Sequence, residues 1–116
     1  MSTQREDSMR VILATAPADG AGALARELVD RGDAACVNVI PGVHSVYRWE
    51  GEVVEDRESL LILKTATSRV GSLMMSFEEL HPYETPEFLV LPVEAGLPSY
   101  LEWVVGATGP HPMDDD

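Results

Sequence analysis

The order of strand-like and helix-like segments restricts the fold of this chain more than any other feature of its sequence. MRVILATAP, residues 9–17, is a short apolar run that ends at a proline, which is typical of a buried strand. Apolar residues then recur at helical spacing from Ala21 to Val29, and Gly32 supplies a stop. The chain therefore begins with a strand followed by a helix.

Residues 35–66 predict two long strands joined in a hairpin that turns at Glu50-Gly51. Pro41 cannot donate a backbone hydrogen bond to a ladder, so we expect a bulge or bend at Pro41-Gly42, in a portion that lies at a sheet edge. The continuously apolar run from Leu60 to Leu63 favours a central position in the sheet. A long, bent hairpin is the expected result.

A second helix, a fourth strand and a last helix complete the pattern. The second helix is predicted to end at Pro82, residues 85–96 favour a strand, and Pro98 suits the first turn of a final helix. The order βαββαβ with an added helix predicts an α+β, ferredoxin-like fold with one antiparallel sheet and helices on one face. The other face would expose apolar residues unless a partner chain buries it, so we expect self-association.

Length and composition fit a single globular domain. The chain has 116 residues, of which 45% are hydrophobic, and it contains no internal repeat. We place the folded domain at residues 9–108. A disordered polar leader is expected at 1–8 and a disordered acidic tail at 109–116.

The charge balance narrows the range of partners. A formal net charge of −12 disfavours binding to nucleic-acid phosphates or anionic lipid heads and favours the local attraction of cations.

The sequence has neither an apolar run of about eighteen residues nor a signal-peptide core, so no membrane span or secretion signal is predicted. Cys36 is the only cysteine, which excludes an internal disulfide and fits a reducing compartment. We therefore expect a cytoplasmic protein that binds neither nucleic acid nor membrane.

Several segments, in this order along the chain, resemble the CutA divalent-cation tolerance family. They are ATAP (14–17), AACVNVIPGVHSVYRWEG (34–51), LLILKT (60–65), HPYETPE (81–87) and LPVEAGLPSYLEWV (91–104). The match runs from Val11 to about Val105. The resemblance implies a ferredoxin-like protomer in a tight homotrimer, with sheets packed around the three-fold axis and hairpins that reach onto neighbours.

The same resemblance implies a role in tolerance to copper and other divalent metals, without a settled enzymatic activity. Copper-binding members are similar in placing a cysteine at the start of the TAP motif and paired histidines before the PY motif, where this chain has Ala14 and Leu80 with His81. His81 and Glu84 remain candidate ligands for copper(II) or another divalent cation. Because these two residues make half a site, we expect HPYETPE to be chiefly a structural turn that holds any metal weakly.

Other side chains are candidates for contacts between subunits. Cys36, Lys64 and Tyr83 are candidate residues of a pocket between subunits, although a free cysteine in an apolar strand is more often a small buried hydrophobe. The Lys64 ammonium requires a carboxylate, an anionic ligand or solvent, which leaves open a structural salt bridge or ligand binding. We also predict four aromatic residues as interface anchors rather than pocket walls: Tyr47, Trp49, Tyr100 and Trp103.

Two functional hypotheses follow from these observations. The sequence contains no GxGxxG, Walker loop, HExxH or nucleophile-elbow motif, so the familiar enzyme signatures are absent. The leading hypothesis is a non-enzymatic homotrimer that acts in divalent metal tolerance and binds copper or another divalent cation weakly. The alternative is a trimeric small-molecule sensor of the PII type, with its ligand held between subunits.

Overall fold

The computed structural model of the chain describes residues 8–109. The elements follow the predicted order: β1 Met9–Pro17, α1 Ala21–Asp30, β2 Cys36–Trp49, β3 Glu52–Ala66, α2 Val70–Leu80, β4 Phe88–Pro92 and α3 Pro98–Gly106. A short 3-10 helix, Thr67–Arg69, leads into α2. Between residues 8 and 109, no helix is long and apolar enough to cross a membrane. The predicted leader and tail lie, except for Ser8 and Gly109, outside the described residues.

All four strands pair antiparallel in one sheet with the order β2-β3-β1-β4. The central strands β1 and β3 pair along their length, from Met9 opposite Ala66 to Pro17 opposite Glu58. β4 lies on the other side of β1. This strand order confirms the ferredoxin-like, α+β arrangement that the sequence predicts.

The β2–β3 hairpin bends and turns where the sequence predicts. Its tip is a two-residue turn, Glu50-Gly51, in which the φ angles are 50° and 83°, and positive φ at both positions matches the twist of the flanking strands. The register shifts between Ile40 and Val43, so Pro41-Gly42 forms a bulge. β2 is also an edge strand. The bulge and the edge position are therefore both confirmed.

The main core lies between one face of the sheet and helices α1 and α2. Side chains of β1 and β3 on this face, such as Ile12 and Leu61, form one fully buried cluster with Leu28 of α1 and Phe77 of α2. Burial of each large apolar side chain contributes about 1.5–3 kcal/mol. The predicted central position of the apolar run in β3 is confirmed by the burial of Leu61 and Leu63.

Helix α3 departs from the prediction that the helices cover one face only. Leu101 and Val104 of α3 form a second buried cluster with Met9, and Val11 packs against it. Because side chains alternate along a strand, Met9 and Val11 point away from the face that carries Ile12. α3 therefore covers one end of the opposite face, since its own apolar side chains require burial.

The rest of that opposite face is uncovered in the protomer, and we call it the open face. Its register places Leu13 between Ile62 of β3 and Leu89 of β4. The apolar side chains on it are partly or largely exposed: Leu13, Ile40, Leu60, Ile62, Leu89 and Leu91. An apolar surface without a helical cover is what the sequence predicts for this fold.

Two structural features require glycine at position 32, where the stop of α1 is predicted. Its φ is 79°, in the left-handed region that favours glycine. A Cβ at this position would lie 1.9 Å from the carbonyl oxygen of Gly109, whose N–H donates to the Gly32 carbonyl oxygen at 2.8 Å. The last described residue is thereby held against the end of α1.

A buried carboxylate ties the α1–β2 connection to α2. Asp33 is 3% exposed, and Thr65 Oγ1 donates to its carbonyl oxygen at 2.6 Å. Its carboxylate accepts hydrogen bonds from Ser72 Oγ at 2.6 Å, Ser76 Oγ at 2.5 Å and Arg69 Nη2 at 3.2 Å. A buried charge is tolerated when it is paired and hydrogen-bonded in this way. Sequence reasoning did not find this network.

Candidate functional site

A cleft lies between the outer half of the β2–β3 hairpin and the turn that follows α2. The bulge at Pro41-Gly42 explains which hairpin side chains reach it. From the Ile40–Leu60 pair to the Val43–Glu58 pair, β2 advances three residues while β3 advances two. One extra residue reverses the faces to which the later β2 side chains point. The β2 side chains of odd number that line the cleft are Ser45, Tyr47 and Trp49.

His81 anchors the turn at the end of α2. Its backbone is extended (φ −81°, ψ 137°), as favoured before Pro82, and the residue is 6% exposed. Its Nε2–H donates to the Thr15 carbonyl oxygen at 2.8 Å, and its Nδ1 accepts the Tyr83 backbone N–H at 3.1 Å. The ring also packs on Phe77, with centroids 5.0 Å apart. His81 therefore fixes the turn to β1 and α2, which is the structural role predicted for HPYETPE.

The cleft has a volume of about 780 Å³ and an acidic lining. Within the described chain, no basic side chain lines it, whereas four carboxylates do: Asp56, Glu58, Glu84 and Glu87. Glu58 is 6% exposed and accepts a hydrogen bond from the Tyr83 hydroxyl at 3.2 Å. Between residues 8 and 109, no cationic side chain forms an ion pair with any of the four. The cleft therefore attracts cations and repels anions.

Two tyrosines orient their hydroxyl groups toward these carboxylates. The Tyr47 hydroxyl donates to Asp56, and this hydrogen bond raises the pKa of Tyr47 from 10.0 to about 12. Burial, followed by the neighbouring Glu58 carboxylate, raises the pKa of Tyr83 above its ordinary value of 10.0. Both phenols are therefore neutral hydrogen-bond donors at neutral pH.

We expect the alkaline titration of Tyr47 to lie near pH 12 in the folded protein. A raised native pKa means that the folded chain holds the phenol proton more tightly than the unfolded chain does. The resulting stability is present below pH 10 and is lost as the pH rises toward about 12. Phenolate absorbance against pH measures this, and Tyr47→Phe should remove the highest component. Loss of a component near pH 10 instead would contradict the hydrogen bond to Asp56.

The two predicted metal ligands do not form a ready site in this conformation. Glu84 lines the cleft, whereas backbone groups of Thr15 and Tyr83 engage both ring nitrogens of His81. In the part of the chain that the structure describes, no three His, Cys, Asp or Glu side chains converge closely enough to hold a metal ion. A metal at His81 must displace one of the two backbone hydrogen bonds. The metal role of His81 and Glu84 therefore stays a prediction.

The three predicted pocket residues occupy two places in the protomer. Cys36 and Lys64 are direct partners across β2 and β3, and both contact the side-chain oxygen of Asn38. Tyr83 lies instead beside Glu58, six residues from Lys64 along β3, which is about 20 Å at the spacing of a strand. Within one protomer, the Lys64 ammonium thus contacts an amide and lies far from the cleft.

The four predicted interface anchors are all exposed in the protomer. Trp49 is 46% exposed and Trp103 is 50% exposed. Tyr100 stacks on Trp103 with ring centroids 5.7 Å apart, while Tyr47 and Trp49 line the cleft. Burial of these rings by a partner remains a prediction.

Sequence reasoning missed three of the cleft carboxylates, Asp56, Glu58 and Glu87. The chain has 20 acidic residues, and their spacing alone singles out none. The bulge at Pro41-Gly42 is the signal that could have found Asp56 and Glu58. It turns the β2 side chains that follow it, such as Ser45 and Tyr47, to the sheet face that carries these two carboxylates.

Comparison with known sequences identifies relatives of this chain. The family model described as CutA1 divalent ion tolerance protein matches residues 10–107. The divalent-cation tolerance protein CutA of Thermus thermophilus is 46% identical over 100 residues, which cover 85% of this chain and 97% of that protein. The similarity therefore extends through almost all of the described domain.

Solved structures share the fold. The divalent cation tolerance protein (Cut A1) from Thermus thermophilus superposes with a TM-score of 0.84 at 45% identity, covering 87% of this chain and 99% of that one. The PII-like protein CutA from Nostoc sp. PCC 7120, in apo form, superposes with a TM-score of 0.84 at 39% identity, covering 88% and 99% of the two chains. With a family match that extends from β1 through α3, this chain belongs to the CutA1 divalent ion tolerance family.

Proposed function

We propose that this protein takes part in tolerance to divalent metal cations, as a non-enzymatic homotrimer in the cytoplasm. The match to the family model over residues 10–107 carries the proposal. The family is named for ion tolerance rather than for a reaction, which supports a non-enzymatic role. A net charge of −12 supports an interaction with cations and disfavours nucleic acid and anionic membranes as partners.

Weak metal binding is proposed at His81 and Glu84, assisted by surface carboxylates. Copper(II) prefers several nitrogen or oxygen donors in a tetragonal array, and one imidazole with one carboxylate leaves most positions to water. Binding at His81 also costs a hydrogen bond to Thr15 or Tyr83. Copper is proposed on the family resemblance, and other divalent cations that accept oxygen ligands fit the same residues.

Copper(II) titrated by calorimetry in a non-coordinating buffer should bind with dissociation constants above the low micromolar range. His81→Ala should lose part of this binding, because the carboxylates remain. His44→Ala is the matched control, since His44 is an exposed imidazole paired with Glu55 at 2.7 Å on the hairpin. Nanomolar binding that His81→Ala abolishes would contradict a weak site and would indicate ligands from a neighbouring subunit. Equal loss in both variants would show that copper binding is not specific to the imidazole in the HPYETPE turn.

The open face supports self-association. A soluble monomer rarely leaves a contiguous apolar sheet surface uncovered, and here Leu13, Ile62 and Leu89 lie side by side on it. The exposed ring of Trp49 lies near the tip of the hairpin, and that of Trp103 lies on α3, which covers one end of the same sheet side as the open face. We propose three copies of the chain in the assembly because of the family resemblance.

Growth in the presence of metal salts tests the tolerance role. A bacterial strain that lacks its own member of the family should grow less well in graded copper(II) or another divalent salt. Expression of the parent chain should restore growth, whereas an empty vector should not. Equal growth of all strains across the metal series would contradict the proposed function.

The cleft supports a second candidate function, a PII-like small-molecule sensor. One related structure is described as a PII-like protein, and about 780 Å³ lies within the usual range for small-molecule sites. The acidic lining disfavours nucleotides and other anions as the ligand. In this candidate function, a neutral or cationic ligand would bind next to the subunit contacts.

A further inference from the structure

The hydrogen bonds of His81 decide which of its two ring nitrogens a metal ion can use. Nε2 lies 2.8 Å from the Thr15 carbonyl oxygen, which can only accept, so Nε2 carries the proton. Nδ1 lies 3.1 Å from the Tyr83 backbone nitrogen, which can only donate, so Nδ1 holds the lone pair. A metal ion binds the unprotonated nitrogen of a neutral imidazole. Nδ1 is therefore the nitrogen that suits a metal ion, and the Tyr83 N–H occupies it.

The hydrogen bond to Thr15 is the more rigid of the two. Thr15 lies in the central strand β1, opposite Leu60 of β3, so the sheet fixes its carbonyl oxygen. A ring N–H that donates to a backbone carbonyl is also the usual arrangement behind a metal-bound histidine. Tyr83 lies instead in the segment that connects α2 to β4. A metal ion at His81 would therefore keep the bond to Thr15 and displace Tyr83.

Tyr83 is held in place by three contacts. Its backbone N–H donates to Nδ1 of His81, and its ring packs on the imidazole with centroids 4.7 Å apart. Its hydroxyl donates to Glu58 at 3.2 Å. Glu58 is 6% exposed and lies in β3 opposite Pro17, so its carboxylate is held by the sheet. We call the conformation with these three contacts the closed turn.

We propose that Tyr83 controls the binding of divalent metal ions at His81, because the closed turn and a metal on Nδ1 exclude each other. The inference rests on the proposed metal role of His81 and adds the residue that regulates it. The hydroxyl bond to Glu58 stabilises only the closed turn, so it reduces the apparent metal affinity in proportion to the small fraction of open molecules. All three contacts are made within one chain, so this control does not depend on a neighbouring subunit.

Calorimetry with copper(II) in a non-coordinating buffer tests the role of Tyr83. Tyr83→Phe should bind copper(II) about tenfold or more tightly than the parent, because the closed turn loses a hydrogen bond to a charged group. Tyr47→Phe is the matched control, since it removes a hydroxyl that donates to Asp56 and should leave the affinity unchanged. Adding His81→Ala to Tyr83→Phe should abolish the gain. A gain that survives without His81 would come from the released Glu58 carboxylate and would overturn the proposal.

The same titrations distinguish failure of this inference from failure of the proposed metal site. His81-dependent binding of equal affinity in the parent and in Tyr83→Phe would overturn the role of Tyr83 alone. Copper(II) binding that does not depend on His81 in any variant would contradict the metal site and the role of Tyr83 together.

Proton–nitrogen NMR correlation spectra of the His81 ring test the nitrogen assignment directly. In the metal-free protein the proton should lie on Nε2. Zinc(II), which is diamagnetic, should shift the signals of Nδ1 and of the Tyr83 amide and leave the proton on Nε2. A proton on Nδ1 in the metal-free protein, or zinc(II) bound at Nε2, would overturn the proposal.

Discussion

Asp33→Ala should lower the free energy of unfolding by about 3–5 kcal/mol, the usual cost of breaking a buried charge pair. The substitution removes the acceptor for Ser72, Ser76 and Arg69 at once. Arg69 depends strongly on this carboxylate, because its Nε is buried without a hydrogen-bond partner in the described chain. The connection between α1 and β2 would also lose its link to α2.

Denaturant unfolding of the parent and the variant measures this effect. Glu79→Ala is the matched control, because it removes a carboxylate from α2 that pairs with Arg31 at the surface at 2.9 Å. An exposed ion pair contributes little, so the control should unfold close to the parent. Asp33→Ala would contradict the structure if it were no more destabilising than Glu79→Ala.

Ile62→Asp should abolish assembly. Ile62 lies in a central strand on the open face, directly opposite Leu13. In the proposed homotrimer, each copy would bury an unpaired carboxylate at a cost on the order of several kcal/mol per subunit, and the three charges would repel one another. The variant should run as a monomer or unfold at a lower temperature than the parent.

Size-exclusion chromatography and thermal melting measure this second effect. Met75→Asp is the matched control, because Met75 of α2 is 73% exposed and lies away from the open face. The control should keep the size and melting temperature of the parent. Parental size and melting temperature in Ile62→Asp would show that the open face is not an interface.

The sequence predicted the fold well where local signals decide it. Pro41-Gly42 marks the bulge, Glu50-Gly51 the hairpin tip, and Gly32 the end of α1, since each depends on the backbone preferences of the residues themselves. The position of α3 on the sheet face opposite the main core was not predicted. The apolar side of a helix shows that the helix must be buried, but it does not show which face of the sheet will bury it. Tertiary packing decides that choice.

The candidate site was predicted less completely, for a related reason. HPYETPE was identified as a turn, but the partner of His81 Nε2 is the carbonyl oxygen of Thr15, far away in the chain. Such a contact is visible only once β1 and α2 are packed together. The Asp33 network and the Glu58 position likewise join elements that are distant in sequence, so neither leaves a periodic or local pattern.

In the proposed homotrimer, two further copies of this chain cover the open face. Light scattering of the parent protein at micromolar concentration measures the assembly directly. We predict a mass about three times that of the 12.6 kDa chain. A stable species of 12.6 kDa would contradict the proposal, because the apolar side chains from Leu13 to Leu91 would then face water in the functional protein.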